Sequence, residues 1–293
     1  MATLRDIKQR IVGVKSTQQI TKAMKMIAAA KLRWAQTNVI NARPYSDKIA
    51  SLITRIPTEE DISSNPFFIE KEVKNCVVVV ITADRGLCGS FNQNIIKEVE
   101  RYIEEELKPD GINYQLFTAG KKGTDYFSKR DYELFGSDTG FYSSLEFTTA
   151  IQISDLLINK FLDGTFDKII LVYNTFISII QQKIEVKQFL PIPISTGSDK
   201  GQSKDINYIL EPDREYIFKN LIPKHLKAQV WRALLESYAA ENSARMTAMD
   251  NATTNAEELI KSLNLTYNKE RQAAITKEIL EIVSGANALK ASS

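Results

Sequence analysis

A glycine turn between a strand and a helix can aim backbone N–H groups at a phosphate, and Ala83-Asp-Arg-Gly-Leu-Cys-Gly-Ser-Phe-Asn92 has that form. It matches neither G-x-x-x-x-G-K-[ST] nor G-x-G-x-x-G. A tight turn at Gly86 and Gly89, with Ser90 capping the next helix and Gln93 three residues on, accounts for it better. Gly120-Lys-Lys-Gly123 reads as another turn into a helix. Cys88 stands where a thiolate nucleophile would, yet no histidine lies nearby in the chain to activate it, so a buried structural thiol is expected. Asp84 and Arg85 suggest a loop-fixing ion pair. The acidic runs Glu59 to Asp61 and Glu104 to Glu106 lack the spacing of a calcium loop and read as solvated faces.

The single histidine, His225, sits in Pro-Lys-His-Leu-Lys, which reads as an exposed helical surface. With a single histidine in that context, neither a catalytic triad nor a multi-histidine metal site is expected. With only Cys76 and Cys88, no C-x-x-C spacing exists and a disulfide scaffold is not expected. The residues therefore point away from catalysis: no catalytic, cofactor-binding or metal-binding residue is assigned.

Charge is more informative. The net charge is +2, but the first 55 residues carry eleven Lys or Arg against Asp6 and Asp47 alone. A basic leading segment seeks an acidic partner. Nucleic acid would be one, to be judged by steep salt dependence. The cations interleave with a packing seam and have only Trp34 for aromatic company, which favours a protein surface instead. The longest apolar run, Cys76 to Ile81, is far short of the roughly 20 residues of a spanning helix, and the first residues resemble no signal or transit peptide.

These side chains must be positioned by two long helices and a domain between them. Leu4, Ile7, Ile11 and Val14 follow a 3, 4, 3 rhythm, which Ile20, Met24 and Ile27 continue on a shifted stripe. A helix from about Thr3 to Arg55, with a bend at Pro44, would be roughly 75 to 80 Å long. The polar segment Pro57 to Pro66 reads as a loop. Strands are expected at Cys76–Thr82, Tyr114–Thr118, Lys168–Tyr173 and Ile177–Phe189, with helices at Phe91–Leu107, Lys121–Ser128 and Ser144–Phe161 and an antiparallel hairpin centred near Asn174.

From Lys224 to about Ala288 a second helix, on the order of 95 to 100 Å, keeps a seam at Met249, Ala252, Ala256, Leu259 and Leu263 and resumes it at Ile275, Ile279, Ile282, Ala286 and Leu289. Neither helix buries its stripe alone. The predicted fold is α/β: a long antiparallel coiled coil of the N- and C-terminal helices plus a central Rossmann-like α/β domain. Its segments are 1–56, a linker at 57–72, 73–207, and 208–293. The longer C-terminal helix overhangs, and exposed Ile275, Ile279, Ile282 and Val283 then need an external apolar socket.

Three stretches resemble the gamma subunit of F-type ATP synthases, of bacterial type. They are Ile20-Thr-Lys-Ala-Met-Lys-Met-Ile-Ala-Ala-Ala-Lys31, the Ala83 to Asn92 turn, and Glu241 to Ala288, in which I-T-x-E-x-x-E-x-x-x-G-A is complete from Ile275. The resemblance runs along the whole chain. It implies the rotor shaft of a proton-translocating ATP synthase, turning inside three alpha and three beta subunits, with a foot on the c-ring and the epsilon subunit. Lys22, Met24 and Lys25 resemble the collar facing beta; Arg271 and Gln272, with Thr276 and Glu278, resemble the catch on an empty beta subunit. Tyr208 and Glu211 resemble the c-ring and epsilon contact, and Ile275, Ile279, Ile282 and Leu289 the tip turning in a sleeve of the ring.

It further implies no cofactor, no nucleic acid, and a peripheral position on the cytoplasmic side of the bacterial plasma membrane, a processed organellar protein being the lesser alternative. No cysteine lies between Leu190 and Tyr208, so the thiol switch of the chloroplast version is not expected. A nucleotide-binding α/β enzyme with a coiled-coil arm is the rival, and it requires a ligand at the Gly86 to Ser90 turn.

Overall fold

The computed structural model describes residues 3–55, 65–179, 181–193, 211 and 213–291. Helix α1 runs from Leu4 to Arg55 and α5 from Arg214 to Ala291. Between them lie β1 (Asn75–Ile81), α2 (Phe91–Tyr102, running on as a π-turn Ile103–Leu107), β2 (Asn113–Ala119) and α3 (Lys121–Phe127). These are followed by β3 (Leu134–Asp138), α4 (Phe147–Leu162), β4 (Lys168–Phe176) and β5 (Gln182–Leu190).

Both long helices begin at sequence-encoded caps. At the start of α1, Asp6 N–H donates to Thr3 Oγ1 (3.2 Å) and Thr3 N–H donates back to Asp6 Oδ2 (3.0 Å), the reciprocal arrangement of a capping box. Those hydrogen bonds hold the Asp6 carboxyl below its ordinary pKa. At the start of α5, Asp213 Oδ1 accepts from Tyr216 N–H at 2.7 Å. The helix thus begins at Arg214, ten residues ahead of the expected Lys224. Pro223 is interior to it and simply leaves the Lys219 carbonyl without the usual N–H partner.

The chain divides into two units. The first comprises the described parts of Met1–Ile27 and Met246–Ser293, paired antiparallel, since Thr21 meets Thr253 and Lys25 meets Asp250. The second is Ala28–Arg245. Its sheet has the order β3-β2-β1-β4-β5, parallel except for β5. One sheet face packs Val78, Val80, Leu116, Ile170 and Val172 against Ile95, Ile96 and Val99 of α2 and Phe127 of α3. Along the other, α4 is tied to α5 by the Lys227–Asp155 ion pair (2.8 Å) and the edge-on rings of Phe147 and Trp231. Within this unit α1 also meets α5, through Trp34 edge-on to Tyr238 and Arg232 to Asp47.

Two expectations need correction here. The hairpin turns at Ser178 and Gln181, not near Asn174, which pairs with Ile184 well inside the ladder. Strand β3 was not expected at all: it is short, lies at the sheet edge and contains Gly136, where a Cβ would stand 3.2 Å from the Phe117 ring.

Candidate functional site

In the first unit the covered positions of α1 are Leu4, Ile7, Ile11, Val14, Gln18, Thr21 and Lys25, an unbroken 3, 4, 3, 4 repeat. Their counterparts on α5 are Met249, Thr253, Ala256, Ile260, Leu263, Tyr267, Glu270 and Ala274. The expected shift of the seam onto Ile20, Met24 and Ile27 is therefore wrong. Ile20 and Ile27 are 57% and 58% exposed, and Met24 only flanks the seam. Likewise Leu259 is exposed and Ile260 takes its place. Polar residues hold the seam where apolar ones were expected. Thr21 Oγ1 lies 2.8 Å from Thr253 Oγ1, and Lys25 Nζ lies 2.6 Å from Asp250 Oδ1. The heptad count from Leu4 through Thr21 was the signal that would have found them.

This register sets the first residue of α1 level with Glu270. Beyond Ala274 every described side chain of α5 is exposed, including Ile275 (48%), Ile279 (55%), Ile282 (71%) and Val283 (50%). Arg271 and Gln272, just before Ala274, and Thr276 and Glu278, beyond it, are all exposed, with Thr276 Oγ1 donating to the Gln272 carbonyl at 2.9 Å. Lys22 is exposed, whereas Lys25 is engaged by Asp250. Leu289 belongs to α5, but its side chain lies outside the described residues, as does Tyr208 altogether; Glu211 is exposed just ahead of α5.

In the second unit the β1 to α2 turn stands at the C-terminal ends of the strands, where the order reverses between β1 and β4. That is the usual crevice for a ligand in a sheet of this kind. Here the chain occupies it: Ala240 and Ala244 of α5 pack with Ala83, Cys88, Phe91 and Phe176. Arg245 donates to the carbonyls of Arg85 (3.3 Å) and Gly86 (3.2 Å) and pairs with Glu241 at 2.7 Å. Burial pushes the Glu241 carboxyl up in pKa, and Arg245 opposes that push.

Asp84 serves the turn differently from the expected pair with Arg85. Its carboxylate accepts the backbone N–H groups of Lys121 and Gly140 (both 3.0 Å) and of Tyr142 (3.3 Å), joining the three loops. Leu87 and Gly89 adopt the left-handed region, with φ of 62° and 59°. Ser90 precedes α2, but its hydroxyl makes no cap; it accepts from Asn94 Nδ2 instead. Cys88 is buried, receives Asn92 Nδ2 at 3.2 Å, and has its thiol pKa raised chiefly by burial.

His225 is the largest departure. It is 4% exposed, not superficial, and lines a cavity of about 50 Å³ with Ser46, Asp47, Tyr173, Lys187, Gln229 and Arg232. Its Nε2 lies 2.5 Å from Gln229, and burial, then the Lys187 charge, pulls its pKa down to about 4. Among the described residues no helix is long and apolar enough to cross a membrane.

The sequence profile of the family described as ATP synthase matches residues 3–289. The chain is 49% identical to the ATP synthase gamma chain of Chlorobaculum tepidum, across 99% of this chain and 100% of that one. It is 46% identical to that of Chloroherpeton thalassium, across the whole of both. Among solved structures, the central stalk and c-ring of the Tetrahymena thermophila mitochondrial ATP synthase contains a chain with a TM-score of 0.61 and 26% identity, covering 80% of this chain and 99% of that one. A chain of the Euglena gracilis mitochondrial enzyme has a TM-score of 0.68 at 21% identity, over 99% and 95%, a likeness of fold. With a profile spanning nearly every residue and relatives close to half identical end to end, the chain belongs to the ATP synthase gamma-chain family.

Proposed function

We propose that the chain is the central rotor shaft of a proton-translocating F-type ATP synthase, coupling c-ring rotation to ATP synthesis and hydrolysis in a ring of three alpha and three beta subunits. The observation that carries this reading is the apolar stretch of α5 beyond its last partner on α1. Ile275, Ile279 and Ile282 are 48%, 55% and 71% exposed, beyond the last seam position at Ala274. A surface of that kind calls for an external apolar socket, and a sleeve at the top of the ring supplies one. The Tetrahymena relative is itself part of a central stalk with a c-ring.

Moving one charge across the membrane supplies roughly 2.3 kcal/mol per 100 mV, whereas an exposed ion pair contributes only about 0 to 1 kcal/mol. Torque is therefore transmitted by shape and many contacts together. Lys22 and Met24 on α1, and Arg271, Gln272, Thr276 and Glu278 on α5, face beta subunits; Lys25 does so while paired to Asp250. Glu211 and Tyr208 belong to the contact with the c-ring and epsilon. The chain performs no chemistry itself and lies peripheral to the bacterial plasma membrane, on its cytoplasmic side.

The test is to tag the chain, solubilise host membranes in mild detergent, and identify what co-purifies. Stoichiometric alpha, beta, epsilon and c subunits with ATPase activity support the reading. A lone chain that binds nucleotide at the Gly86 to Ser90 turn overturns it.

A further inference from the structure

We infer that the polar pairs Thr21–Thr253 and Lys25–Asp250 between α1 and α5 are a register lock that fixes the axial position of the two helices in this unit. Apolar contact is non-directional, so seam residues such as Ile7, Ile11, Ala256 and Leu263 specify a register less sharply than an opposed polar pair does. A polar pair favours one alignment: a slip of one turn separates Thr21 from Thr253 inside the seam and Lys25 from Asp250 at its solvent-exposed edge. This is the best-attested use of polar residues in coiled coils.

The geometry is specific. Thr21 is 8% exposed, and its hydroxyl meets that of Thr253 at 2.8 Å. Each also reaches its own helix, Thr21 to the Gln18 carbonyl (3.0 Å) and Thr253 to the Met249 carbonyl (2.7 Å). One hydroxyl donates across the seam while the other donates along its own helix, so opposition gives a buried hydroxyl oxygen a donor across the seam that a slipped pair loses. Lys25 Nζ and Asp250 Oδ1, at 2.6 Å one turn away, repeat the same register with a charge pair. Apolar Ile20 and Ile27, which would serve a purely hydrophobic seam, face outward instead.

Ile275 to Val283 lie beyond the last seam position, Ala274, so within the unit their height along the axis follows from the register of the two helices. One turn of slip displaces them by about 5 Å. That this height matters to beta contacts rests on the rotor reading; the lock itself does not.

The test uses the full-length chain carrying spin labels at Lys8→Cys and Ser262→Cys, both exposed positions on opposite helices. Cys76 and Cys88 are buried and do not compete for label. With Thr21 and Thr253 intact, a single narrow distance is expected. In Thr21→Val with Thr253→Val, carried with Asp250→Ala so that neither polar pair remains, a second population displaced by about 5 Å appears, and Thr21→Ser with Thr253→Ser beside Asp250→Ala restores the single distance. If the valine pair loses helicity, Thr21→Ala with Thr253→Ala takes its place in the same measurement. A single unshifted distance in the hydroxyl-free pair overturns the lock. A split distance that leaves protons pumped per ATP unchanged in the assembled complex overturns the height-setting role, whereas failure of the chain to assemble with alpha and beta when unmutated sinks the rotor reading and leaves the lock standing.

Discussion

Arg232 of α5 sets its guanidinium 3.0 Å from the carboxylate of Asp47 on α1, and with its Nε it holds Glu236 one turn further along α5 at 2.8 Å. The two acidic partners are not equivalent. The Asp47 side chain is 65% exposed and that of Glu236 only 3%. Arg232→Ala leaves a buried carboxylate alone and is expected to destabilise the chain by about 3 to 5 kcal/mol. Asp47→Ala removes a solvent-screened partner and costs about 0 to 1 kcal/mol. Urea titration of both variants checks the ratio, and equal losses would contradict it.

His225 makes stability depend on pH. Its pKa falls from about 6.5 unfolded to about 4 folded, so the folded chain favours the neutral ring. The stabilisation is fully present above the unfolded pKa and is lost as pH falls from about 6.5 towards 4, by up to roughly 3 kcal/mol. Denaturation midpoints measured across that range should fall with acid, and His225→Gln should flatten the slope.

Gly120 and Gly140 both have positive φ, yet they should respond differently to alanine. A Cβ at Gly120 would stand 2.0 Å from the Thr82 carbonyl oxygen, while nothing lies within 4 Å at Gly140. Gly120→Ala combines strain with overlap and is expected to lose roughly 2 to 5 kcal/mol. Gly140→Ala should lose about 1 kcal/mol. Thermal melts of the two variants make the comparison.

Arg271 and Gln272 are exposed, so their joint replacement by alanine should change stability by no more than about 0.5 kcal/mol. If they hydrogen-bond a beta subunit, two bonds of about 0.5 to 1.5 kcal/mol each slow turnover by the order of tenfold. ATPase of the assembled complex is the readout; unaltered turnover would remove these two from the catch.

Much of this was legible in the residues. Fifty-two residues of α1 with one interior proline, the β-branched run of β1, and the I-T-x-E-x-x-E-x-x-x-G-A stretch declare helix, buried strand and family from local chemistry alone. The local pattern failed wherever a side chain's partner is remote in the chain. Ile20 and Ile27 look like a seam until Thr253 shows that Thr21 lies within it, because a buried polar group is stable there when its complement is opposite. His225 reads as surface among lysines, but α1 and the sheet close over it. Asp84 reads as one half of an ion pair, yet it gathers N–H groups from loops 37 to 58 residues away. Backbone propensity and periodicity are properties of neighbours in sequence, and they decided the elements; burial and hydrogen-bond satisfaction are properties of neighbours in space, and only the tertiary structure decided those.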